Sequence, residues 1–174
     1  MKINGNSVII KETESSDLKN LQNLWNNGEI MGAVGYPDGL DQTFAEMNNW
    51  FNSIQENEYL NHYVVLNKDK DFCGELFYRK NIKHNRAGLD IKFLPEARGQ
   101  RLATEALQLF IDYIFENEDN IEAVWTEPAE ENRPVRALYT RLGLEEKERP
   151  EDMQSCRSYW ELAREDWQEV ELTS

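Results

Sequence analysis

The stretch from Arg86 to Thr126 constrains the fold of this chain most. Residues 86–94, RAGLDIKFL, alternate like a half-buried strand and run into Pro95. From about Gln100 to Glu116, Ala103, Leu107, Phe110, Ile111 and Ile114 recur at helical spacing. Residues 121–126, IEAVWT, form a further strand-like run that stops before Pro128. A strand, a long amphipathic helix and a second strand make a β-α-β unit. Its two strands are expected to lie parallel, joined by a right-handed crossover.

The flanking segments dictate the rest of the sheet. Ser7-Val8-Ile9-Ile10-Lys11 reads as a first strand. Ser15, Ser16 and Asp17 then offer caps for a helix carrying Leu18, Leu21, Leu24 and Trp25. Gly28 to Gly39 is punctuated by Gly32, Gly35 and Pro37 and reads as a loop. A second helix follows from Asp41 or Thr43, with Phe44, Met47, Trp50, Phe51 and Ile54 on one face. Residues 62–66 and 72–78, separated by a polar turn, predict an antiparallel hairpin. After the β-α-β unit, Pro134–Leu142 reads as a short helix closed by Gly143, and 144–147 and 158–163 as two last strands. The order β-α-α-β-β-β-α-β-α-β-β predicts one α/β domain over residues 1–174. Its mixed, mostly antiparallel, twisted sheet of about seven strands has helices on both faces and its parallel pair at strands four and five.

Composition narrows the function. The net charge is −14, with 33 acidic and 19 basic residues. A nucleic-acid-binding surface needs basic patches, so nucleic acid is not an expected partner. An acidic surface favours cationic partners such as amines, or serves solubility alone. No apolar run reaches the length of a membrane span, and residues 1–7 lack the apolar core of a signal peptide. A cytoplasmic location is therefore expected, with no membrane partner. Cys73 and Cys156 lack metal-ligand spacing. No metal and no disulfide are expected.

Against this acidic background stand two basic islands, Arg98 with Arg101, and Arg133, Arg136 and Arg141. The first, RGQRLA at residues 98–103, sits where a strand gives way to a helix. The first N–H groups of a helix have no intrahelical partner, and the dipole is positive there. Gly99 lets backbone approach a ligand and Ala103 is small. The geometry suits a pyrophosphate.

The run IKFLPEARGQRLATEAL, residues 91–107, resembles the cofactor-binding motif of the GNAT superfamily of N-acetyltransferases. The family pattern is Arg/Gln-x-x-Gly-x-Gly/Ala ahead of a helix. Arg98 and Ala103 match its ends, while Arg101 replaces the usual central Gly. That replacement implies ordinary helical or turn dihedrals at position 101. A second match follows at NRPVRALYTRLGL, residues 132–144, where Asn132 and Tyr139 keep the family spacing and Gly143-Leu144 stands for Gly-Phe. The segment RGQRLATEAL, with NNGEIMGAVGYP upstream, looks like the branch that acetylates ribosomal-protein N-termini and related amines, a branch in which homodimers are common.

The resemblance implies acetyl-CoA as cosubstrate and transfer of its acetyl group to a primary amine by direct attack. The acceptor is a peptide or protein N-terminus or a small cationic amine. Ile91, Lys92 and Phe93 would pair through their backbone with the pantetheine arm. Arg98, Gly99, Gln100, Arg101, Leu102, Ala103 and Thr104 would surround the pyrophosphate. Asn132 would orient the pantetheine or cap its helix. Tyr139 would protonate the departing thiolate as general acid. Glu75, Asp90 and Glu127 are candidate general bases, with Glu75 or Asp90 preferred. Arg136 and Arg141 stand as candidates for the cofactor's 3′-phosphate, or as solvated helix residues. The loop from Ile30 to Leu40, with Tyr36 and Trp50, is the expected acceptor wall. His62 reads as a structural strand residue and His84 as a surface residue. The alternative is a non-catalytic CoA-binding module of the same fold. A dinucleotide-binding domain is disfavoured because no Gly-x-Gly-x-x-Gly opens the first strand-helix unit.

Overall fold

A computed structural model describes residues 1–153 and 155–167. The strands are β1 (Lys2–Asn4), β2 (Val8–Glu12), β3 (Leu60–Asn67), β4 (Phe72–Asn81), β5 (Arg86–Phe93), β6 (Ala123–Thr126), β7 (Glu145–Glu146) and β8 (Trp160–Ala163). The helices are α1 (Leu18–Trp25), α2 (Gly28–Met31), α3 (Phe44–Gln55), α4 (Leu102–Asn117) and α5 (Arg133–Arg141). Hydrogen-bonded neighbours follow the order β1-β2-β3-β4-β5-β6-β8-β7. The ladders β1–β2, β2–β3, β3–β4, β6–β8 and β7–β8 are antiparallel, and β5–β6 is parallel.

Eight strands stand where seven are expected. The extra one is β1, three residues too short to give a strand signal, which pair with β2 from Lys2↔Lys11 to Asn4↔Ile9. The parallel pair is therefore β5 with β6, not the fourth and fifth strands. The Gly28–Gly39 loop is also corrected. It contains α2, capped by the Asn27 side chain accepting from the Glu29 N–H, and a 3-10 turn at Gly32–Val34. The glycines there masked a short helix. α4 starts at Leu102 rather than Gln100, and β7 has only two residues. Ala103 is half-buried. The buried face of α4 is Leu102, Ala106, Leu107, Phe110, Ile111, Ile114 and Phe115.

The chain forms two compact units. The first combines Met1–Arg79 with Asp90–Leu109. Its core includes Leu18 and Leu21 of α1, Met47 of α3 and Val64 of β3, with Trp25, Trp50, Phe51, Leu66 and Phe72 packed around them. α3 begins at a capping box: Thr43 Oγ1 accepts from the Glu46 N–H, and the Glu46 carboxylate accepts from the Thr43 N–H. The β3–β4 ladder carries a bulge. Val65 faces Gly74 and Leu66 faces Phe72, so Cys73 is the extra residue. Cys73 is buried there, and Cys156 is exposed. Beside the bulge, a Cβ on Gly74 would lie 2.1 Å from the Lys92 carbonyl. Only glycine allows β5 to come this close.

The second unit combines Lys80–Leu89 with the chain from Phe110 onward. α5 ends in a Schellman motif: the Leu144 N–H donates to the Tyr139 carbonyl and the Gly143 N–H to the Thr140 carbonyl, with Gly143 at φ +86°. Arg164 donates to the carbonyls of Phe115, Glu118 and Ile121 at 2.5, 2.7 and 2.8 Å. Arg86 meets Glu161 at 3.1 Å and the Tyr159 hydroxyl at 2.9 Å. His84 is not simply a surface residue. Its side chain is mostly covered and pairs with Asp152 at 2.8 Å. Among the described residues no helix is long and apolar enough to cross a membrane.

Candidate functional site

The segment joining β5 to α4 is built for close backbone approach. Pro95–Ala97 forms a 3-10 turn and Arg98 returns to extended backbone. Gly99 then takes φ +76° and Arg101 φ +61°. The dihedral at 101 is therefore left-handed, and the helical or ordinary turn geometry expected there is corrected. An L-residue in this region costs about 1–2 kcal/mol. The Glu105 N–H bonds to the Arg101 carbonyl, so the amides of Leu102, Ala103 and Thr104 form the first turn, at the positive end of α4. Leu102 itself is core, at 6% exposure. Arg98 reaches Glu29 and the Phe93 carbonyl, both at 3.3 Å, and Gln100 donates to the Glu96 carbonyl at 3.1 Å. Both side chains brace the loop.

Preceding this loop in the first unit is a buried ionic cluster. Glu75 of β4 has a side-chain exposure of 1%. Its Oε2 accepts from Trp25 Nε1 at 2.8 Å and lies 3.1 Å from His62 Nε2; its Oε1 lies 3.1 Å from Lys92 Nζ. His62 Nδ1 is 2.7 Å from Thr13 Oγ1. Lys92 Nζ also meets Asp90 Oδ2 at 2.5 Å, and Asp90 Oδ1 accepts from the Ile91 N–H at 2.9 Å. Burial alone would push the Glu75 carboxyl up. The Lys92 charge, His62 and the Trp25 hydrogen bond outweigh it and hold the carboxyl down at about 2. Burial likewise works against the Lys92 ammonium, but the charges of Glu75 and Asp90 carry its pKa above the ordinary lysine value.

Three candidate bases thus differ. Solvent does not reach Glu75. Glu127 pairs with Arg149. Asp90 keeps 31% of its side chain exposed. His62, read from sequence as structural, joins this cluster with Lys92 and Thr13. The available signal was the presence of His62, Glu75, Asp90 and Lys92 at or within the apolar strand segments HYVVL, CGELF and LDIKF. Ile91 and Phe93 flank Lys92, and Phe93 is buried. Trp50 packs edge-on to Trp25 at 4.6 Å and to His62 at 4.8 Å, so it belongs to the cluster. Tyr36 is exposed, while Ile30 and Met31 are core.

In the second unit, Tyr139 projects from α5 and is 3% exposed. Thr126 Oγ1 donates to its hydroxyl at 3.5 Å. Asn132 caps α5, its Oδ1 accepting from the Val135 N–H at 3.3 Å. Arg136 pairs with Glu146 at 3.4 Å and lies 4.9 Å over the Trp160 ring. Among the described residues no group of three or more His, Cys, Asp or Glu side chains is arranged to hold a metal.

The sequence profile of the Acetyltransferase (GNAT) domain matches residues 7–145, which include the left-handed loop, Asn132 and Tyr139. The chain belongs to the GNAT acetyltransferase family. Its class of activity is acyl-CoA-dependent N-acetyl transfer. Among solved structures, this GNAT chain is similar to the spermidine N-acetyltransferase of Vibrio cholerae in complex with CoA and spermine. The two share 22% identity at a TM-score of 0.81, over 94% of this chain and 99% of that one. A dodecameric form of the Vibrio cholerae enzyme in an intermediate state shares 19% at 0.75, over 94% and 97%. A GNAT-family acetyltransferase of Bacillus anthracis shares 17% at 0.76, over 95% and 99%. These likenesses establish a common fold. No curated protein matches the sequence. The assignment to the branch that acetylates ribosomal-protein N-termini finds no support and is corrected to the superfamily as a whole.

Proposed function

We propose that this chain transfers the acetyl group of acetyl-CoA to a primary amine of a small polycationic acceptor, in a ternary complex. The amine attacks the thioester carbonyl, forming the C–N bond as the C–S bond breaks. Tyr139 gives a proton to the departing thiolate, and Asp90 takes the proton lost by the amine. The backbone amides of residues 99–104 receive the pyrophosphate, and the β5 backbone at Ile91–Phe93 receives the pantetheine arm.

The observation that carries this reading is the left-handed loop at Gly99 and Arg101, lying within the family match. Asp41, Lys70 and Asn85 also take positive φ, in turns and loops; Arg101 differs in lying at the start of α4, where the free amides point. The acceptor class is supported by the net charge of −14, which steers cations toward the chain, and by the spermine held in one similar structure.

A thiol-release assay with acetyl-CoA tests this against spermidine, an aminoglycoside and peptides with free N-termini. Spermidine is expected to be acetylated in preference to the peptides. Tyr139→Phe is expected to lower kcat about 100-fold, with acetyl-CoA affinity within threefold of the parent. Tight acetyl-CoA binding with no amine acetylated would sink the reading in favour of a non-catalytic module.

A further inference from the structure

We propose that Lys92 is a positioning residue for acetyl transfer: anchored on the buried Glu75, its ammonium holds the Asp90 carboxylate where the acceptor's proton is taken. The inference rests on the reading of Asp90 as the base.

The geometry runs in one connected line. Thr13 Oγ1 fixes the ring of His62 at 2.7 Å, and His62 and Trp25 saturate one oxygen of Glu75. The other oxygen faces Lys92 Nζ at 3.1 Å. Lys92 then contacts Asp90 at 2.5 Å. Exposure rises along this line, from 1% at Glu75 through 9% at Lys92 to 31% at Asp90. The anchored end is dry and the reactive end is wet.

Lys92 is itself no nucleophile and no acceptor site. Its ammonium lies 5.2 Å from the centre of the Phe77 ring and between two carboxylates, which keep it protonated. What it supplies is a fixed positive charge and a hydrogen bond. Residues 90 and 92 point to the same side of β5, because side chains alternate along a strand. The Ile91 N–H holds the second Asp90 oxygen, so the carboxylate is gripped at both ends. The absence of a Cβ at Gly74 lets the β5 backbone come close to β4 at Lys92, beside Glu75. A lysine placed only to neutralise Glu75 would not need the second carboxylate.

Steady-state kinetics with acetyl-CoA and spermidine test the role. The enzymes compared are the parent, Lys92→Met, Asp90→Asn, the pair of both, and Glu75→Gln/Lys92→Met. The last removes both buried charges together and keeps the test open if Lys92→Met does not fold. Loss of Lys92 in either form is expected to lower kcat about 10- to 30-fold, with KM for acetyl-CoA within twofold. Lys92 meets Glu75 of β4, Asp90 and the Phe77 ring, while His62 of β3 and Trp25 of α1 reach Glu75 and not Lys92 itself. In the Asp90→Asn background, Lys92→Met should have no further effect, since both act through one group. A merely structural lysine would lower melting temperature but leave kcat per folded molecule in place; that result overturns the proposal and leaves acetyl transfer standing. Full additivity of Asp90→Asn and Lys92→Met overturns it equally. A parent enzyme that acetylates no amine overturns both readings together.

Discussion

In the first unit Glu75 and Lys92 face each other with side-chain exposures of 1% and 9%; in the second, Lys80 and Glu118 do so at 21% and 23%. Both are carboxylate–ammonium pairs at 3.1 Å. Desolvation separates them. A buried pair gains strong attraction but loses hydration on both partners, and an apolar pair of the same volume is often as stable. A half-wet pair loses little and gains little. The second unit uses charge near its surface for fastening, as Arg164 also does with three backbone carbonyls. The first unit keeps charge inside, where it is a poor fastener and a good electrostatic device.

The sharpest way to break this contrast is to remove one partner from each pair. Lys92→Met should destabilise the chain by about 3–5 kcal/mol in urea unfolding, because Glu75 is left buried without its counter-ion. Glu75→Gln/Lys92→Met should recover most of that loss. The same contrast shows in acid. The folded Glu75 carboxyl is held at about 2 against an ordinary 4.5, so its contribution is fully present above pH 4.5 and disappears as pH falls toward 2. Stability measured from pH 6 downward should fall over that window by at most about 3 kcal/mol more in the parent than in Glu75→Gln/Lys92→Met. Arg101→Gly has a smaller effect of opposite sign. Relief of the left-handed strain should stabilise by about 1 kcal/mol, with KM for acetyl-CoA within threefold. A tenfold rise in KM would instead assign binding to the guanidinium rather than to the backbone amides. Smallest of all, Lys80→Met should change stability by less than about 1 kcal/mol.

Much of the first unit was readable where the signal is local. The apolar spacing of Leu18, Leu21 and Leu24 predicts α1, and that of Phe44, Met47, Trp50, Phe51 and Ile54 predicts α3. Local signals failed where a short segment had the wrong composition. Lys2–Asn4 carries a single apolar residue, Ile3, too short a run to read as a strand, and it pairs along the edge that β2 offers. Gly28 and Gly32 hide α2, whose cap is the single side chain of Asn27. At the candidate site, the loop at 98–103 was legible as a motif, but its backbone conformation was not. Arginine is poorly suited to positive φ, so the residue at 101 argued for the opposite of what the fold imposes. The ionic cluster was the least legible part. Thr13, His62, Glu75 and Lys92 come from separate stretches of chain, and only strand pairing brings them together.

The bulge that buries Cys73 also divides the chemistry of the two thiols. Burial raises the Cys73 pKa, lowering its thiolate fraction, and the side chain is covered; Cys156 is open to solvent. Any disulfide reagent used to count released CoA therefore meets one accessible protein thiol per chain. It adds a fixed offset in proportion to enzyme, which turnover then rises above. The same asymmetry makes Cys156 a single attachment point for a fluorophore, with Cys73 shielded as long as the sheet stays folded.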